Sequence, residues 1–142
     1  MTVPAPDWTR LGATSNASMF QISARLLAIV PVPNCVDNQQ TARESIAFQD
    51  RHWAAVGHRG AAVCFMDDII EQDGGARAVY ARETENTLTT CYALVGESFY
   101  ARAVSSVFTG LARPPVPTQI FSSLTDALPW IEDMNRERGG PL

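Results

Sequence analysis

Apolar residues fall in two kinds of run along this chain. Residues 61–66 (AAVCFM) and 92–95 (YALV) are unbroken apolar stretches, too short for helices, and such stretches read as strands buried on both faces. Elsewhere the spacing is helical. Ala42, Ile46, Gln49, Trp53 and Val56 define one amphipathic helix. It opens at Asp37, which with Gln40 has the form of a capping box, and it leaves through Gly57 and Gly60. Ala76, Val79 and Tyr80 mark a second helix from Gly74 or Gly75 to about Glu85, with Asp73 as its cap. Phe99, Ala103, Val107, Phe108 and Leu111 mark a third, with Ser98 as the cap. Ala127, Leu128, Trp130 and Ile131 mark a fourth. Ser123 or Thr125 can start that helix, and Pro129, which fits only a first helical turn, argues for Thr125 or Asp126 as its cap.

Between these helices the extended segments fall into order. Residues 19–22 and 26–32 read as a hairpin, ended by Pro31 and Pro33, because proline donates nothing to a ladder. Residues 87–95 extend the second buried run, 118–121 form the last strand, and 69–72 fit no single pattern. The alternation of strand and helix specifies an α/β fold with a single, mostly parallel sheet of four to five strands. Residues 1–17 read as a flexible arm ending in an edge strand, 18–134 as the domain, and 135–142 as a polar tail.

The stretch ALVGESFYARAVSSVFTGLARPPVPTQIF and the closing ALPWI resemble the SpoIIAA-like, or STAS-like, domains of bacteria. These share their fold with the lipid-binding SEC14 and CRAL-TRIO group. The residues that carry the resemblance are Gly96, Ser98, Arg102, Phe108, Pro114, Pro117, Phe121, Ala127 and Trp130, with Ala76, Arg77 and Tyr80 in the helix before. The resemblance implies a non-enzymatic regulatory module that binds a protein partner, without a cofactor. On the same fold the alternative is a carrier of a lipid or another apolar small molecule. Anti-sigma-factor antagonists of the family carry a phosphorylatable Ser or Thr in the loop after the central strand. Here that loop reads DDIIEQDGG and contains none.

Composition narrows the chemistry. The net charge of −4 argues against non-specific nucleic-acid binding, which needs clustered cations. All 11 basic residues are arginine, so no lysine base or Schiff base exists. Cys35, Cys64 and Cys91 are odd in number and read as reduced thiols packed in a cytoplasmic protein. No apolar run is long enough to enter and cross a bilayer.

Candidate site residues cluster at two turns. Asp67, Asp68 and Asp73, with Gly74 and Arg77, form an acidic loop and helix start that the resemblance makes the partner-binding surface. Asp67, Asp68, Glu71 and Asp73 also raise the alternative of a hard-cation site, although their spacing is not that of an EF-hand loop. Gly96, Ser98 and Arg102 form a second turn that can meet an anion or ligand. His52 and His58 lack the spacing of a zinc pair. No catalytic constellation and no metal set is assigned. An edge strand near the N-terminus makes a homodimer an expectation.

Overall fold

The computed structural model describes residues 2–105 and 115–142. Strands β1 (Thr9–Ala13), β2 (Ala17–Ser23) and β3 (Leu26–Pro31) form an antiparallel meander. After it come β4 (Cys35–Asp37), α1 (Gln39–Val56), β5 (Gly60–Phe65), a single 3-10 turn (Met66–Asp68) and β6 (Ile69–Gln72). The chain continues through α2 (Gly74–Arg82), β7 (Thr89–Val95), α3 (Glu97–Ser105), β8 (Thr118–Phe121) and α4 (Leu124–Arg138).

The main sheet has six strands in the order β1-β2-β3-β5-β7-β8, and its last three pairings are parallel. Four or five strands were expected. The additional one, β1, lies inside the stretch read as an arm. Strands β4 and β6 form a separate two-stranded parallel ribbon, so the ambiguous residues 69–72 are a strand.

Alternation along the central strands supplies both faces of the sheet. Ala28, Ala61, Val63, Cys91, Ala93 and Val95 meet Leu124, Ala127 and Ile131 of α4 on one side. Full burial of Ile131 alone stabilises by roughly 1.5–3 kcal/mol. Met19, Ile29, Ala62 and Tyr92 face the other way, with Phe48 of α1 packed against them. Helix α2 then packs on α1 through Ala42, Ile46, Ala76 and Val79. Trp53 is wholly buried and lies over Gly60, where any Cβ would overlap the indole. Its Nε1 donates to Thr89 Oγ1 at 3.3 Å.

Three helix starts differ from expectation. Asn38, not Asp37, caps α1: its side chain accepts from Thr41 N–H while Thr41 Oγ1 accepts from Asn38 N–H. The capping box thus begins one residue later, and Val56 at the helix end is exposed. Ser123 caps α4 through Asp126 N–H at 3.1 Å, which leaves Pro129 inside the helix. Pro129 removes one bond to the carbonyl of Thr125, an exposed residue that water can reach. Helix α3 begins at Glu97, so Ser98 is inside the first turn and does not cap it. Val107, Phe108, Leu111 and Pro114 lie outside the described residues.

Candidate functional site

The two candidate turns meet in space. Asp67, in the 3-10 turn after β5, reaches the start of α3, where its Oδ1 accepts the backbone N–H of Phe99 at 2.9 Å. Gly96 precedes the helix and has no side chain to cap it. The Asp67 carboxylate fills that place so closely that a Cβ on Gly96 would overlap it. A carboxylate from the chain itself therefore stands at the N-terminus that Gly96 and Ser98 were expected to offer an external anion. Ser98 and Arg102 are both exposed on α3.

Asp73 is the N-cap of α2, with Oδ1 accepting Ala76 N–H at 2.8 Å. Gly74 is the first helical residue. Arg77, one turn on, donates its guanidinium to the carbonyl of Gln72. Asp67 and Asp73 are thus turned to different helices, leaving Asp68 and Glu71 exposed between them. Among the described residues, no three His, Cys, Asp or Glu side chains converge as a metal site.

The segment between the caps forms an outward-facing ribbon. Cys35 pairs with Ile69 but Val36 pairs with Glu71, so Ile70 is an extra residue on a bulge. Bulges re-aim side chains, and Ile70 is 65% exposed. Val36 is 44% exposed beside its register partner Glu71. The ribbon's inner side is anchored by Asp37, which is buried. Asp37 accepts from Thr41 Oγ1 of α1 at 2.6 Å, from Gln72 Nε2 of β6 at 3.0 Å and from the Tyr80 hydroxyl of α2 at 2.9 Å. Burial, and next the negative Asp37, push the Tyr80 hydroxyl well above the ordinary phenol value, so it remains a donor. Sequence spacing did not reveal this hub, since Asp37 looked like a cap, and the bulge at Ile70 has no local signature.

A small cavity of about 20 Å³ lies behind the ribbon, lined in part by Cys35, Asp37, Cys64 and Tyr80. Pockets for drug-sized ligands run to several hundred cubic ångströms, so the apolar-carrier reading draws no support from this one. Burial raises the Cys35 thiol, with a smaller push from Asp37. Burial also raises Cys64 strongly and brings Cys91 up to about 11. All three cysteines are free and carry their protons at neutral pH, which suits packing rather than nucleophilic chemistry.

An open groove of about 1060 Å³ runs along the outer side of α1, from Thr14 and Ser15 past Arg43 to Asp73. Of the charges lining it, Glu44 takes the Ser15 N–H and Arg43 forms a two-bond ion pair with Glu83, while Arg51 lies over the Phe48 ring. No helix among the described residues is long and apolar enough to cross a membrane.

A family model described as a domain of unknown function (DUF7793) matches residues 20–135. Among solved structures, the chain is similar to an uncharacterized protein from the DUF3478 family with a SpoIIAA-like fold, from Shewanella loihica PV-4. The TM-score is 0.51 at 15% identity, over 84% of this chain and 99% of that one. Likeness at that identity shows the fold alone, and the fold is SpoIIAA-like, as the sequence resemblance implied. No curated protein matches the chain.

Proposed function

We propose, from the premise that the chain belongs to the DUF7793 family of domains of unknown function, that it is a non-catalytic interaction module. It binds a regulatory protein partner through the β4–β6 ribbon and the start of α2. Asp68, Glu71 and Ile70 present the face, while Asp73, Gly74 and Arg77 set its border. Asp67 acts behind it by holding α3. The work is done in the bacterial cytoplasm, as in STAS-like domains, and without phosphorylation of this segment, which has no hydroxyl residue between Asp67 and Gly75.

The observation that carries this reading is Ile70, an isoleucine held 65% exposed on a bulge. Scattered surface apolar residues need no explanation. This one sits on a short ribbon bolted down by a buried carboxylate, next to exposed Val36, and a rigid face loses little freedom when a partner covers it.

The test is affinity capture from a lysate of the source organism with the wild-type protein and with Ile70→Asp. Both proteins should melt alike, because the substituted side chain is exposed. A protein retained by the wild type and lost by the variant supports the reading. Retention that ignores the substitution removes the ribbon as the docking face.

A further inference from the structure

Resting on the reading that the ribbon is a docking face, we infer that its occupant is a basic segment of a partner protein, carrying an apolar side chain that packs on Ile70 and Val36. The charge along the face is acidic, with the single cation Arg77 at its border. From Met66 to Gly75 the chain has four acids, Asp67, Asp68, Glu71 and Asp73, and no cation. The first cation beyond them, Arg77, is already directed to the carbonyl of Gln72. Asp67 and Asp73 each use an oxygen on a helix start, yet both remain exposed. Asp68 and Glu71 make no hydrogen bond or ion pair with the described residues and flank Ile70 in sequence.

An apolar anchor with the exposed carboxylates of Asp68 and Glu71 on either side of it in sequence selects its partner by charge as well as by shape. A basic segment gains from every acid it meets, and an acidic one is repelled before contact. The same sign excludes nucleic acid and anionic membrane as occupants of this face. The Asp37 hub keeps Val36 and Ile70 in place before binding, so recognition does not wait on ordering the ribbon.

The experiment is selection of a displayed random-peptide library on the intact wild-type protein, followed by affinity measurements with the enriched peptides. Peptides rich in Lys or Arg with an aliphatic or aromatic residue are expected. Ile70→Asp should weaken them about tenfold or more. The pair Asp68→Asn and Glu71→Gln should weaken them several-fold, and added salt should weaken them further. Peptides that depend on Ile70 but carry no basic excess and ignore salt overturn the inference and leave the docking face standing. Peptides that bind Ile70→Asp as well as wild type overturn both. A selection that enriches nothing overturns the inference.

Discussion

The carboxylate of Asp67 accepts the N–H of Phe99 at 2.9 Å across 32 residues of sequence. The bond does for α3 what a capping side chain does when it is local. Gly96 occupies the capping position and offers α3 its carbonyl, which accepts Tyr100 N–H at 2.9 Å, while its own N–H donates to the Phe121 carbonyl at 3.2 Å. Asp67→Ala is expected to cost about 1 kcal/mol, the usual loss of a cap. Gly96→Ala forces the carboxylate out and should cost at least as much. The double variant should be barely less stable than the worse single one, because both remove one interaction. Urea unfolding of the four proteins measures the coupling, and plain additivity would mean that Gly96→Ala does not act through the Asp67 carboxylate.

Asp37 joins three elements that sequence order keeps apart. Its oxygens receive Thr41 from α1, Gln72 from β6 and Tyr80 from α2. Tyr80→Phe removes one donor to a charged acceptor and should cost roughly 1.5–3 kcal/mol. Asp37→Ala should cost more, since it removes the shared acceptor of three donors at once. Hydrogen exchange of β6 and of the start of α2 should rise in Asp37→Ala ahead of exchange in β5 and β7. Uniform exchange across the domain would place the hub in global rather than local stability.

Legibility in the sequence followed the range of the physical signal. The central strands β5 and β7 were plain because a strand buried on both faces needs an unbroken apolar run. Strand β1 was expected only as an edge strand ending the arm, without bounds, since Thr9, Arg10 and Ala13 are exposed and give no alternation to read. The cap of α2 was legible in Asp73, three residues from its donor. The cap of α3 was not, because its acceptor lies on another strand's exit and leaves only a glycine behind. Pro129 misdirected the start of α4: local preference put it in a first turn, while the apolar contacts of Leu124, Ala127 and Ile131 with the sheet hold a longer helix around it. Asp68, Glu71 and Gly74 were found as residues. That Ile70 stands among them exposed depends on the register between β4 and β6, which no local pattern encodes.

His52 ties stability to pH. Its Nε2 is buried with no hydrogen-bond partner among the described residues, and its ring lies 4.8 Å from that of Trp53. Burial, and secondarily the nearby His58, hold the imidazole below the ordinary histidine value. The unfolded chain therefore takes up a proton before the folded one does. Above about pH 6.5, the unperturbed histidine value, both states are neutral at this site and its contribution is complete. As the pH falls from there toward the lowered folded value, protonation of the unfolded chain drains stability. Thermal melts are expected to drop between pH 7.5 and pH 5.5, to about the extent set by this linkage. The drop should shrink in His52→Gln, which has nothing to protonate. A variant at His52 that melts with the same pH slope as wild type would remove His52 as the source of the acid sensitivity.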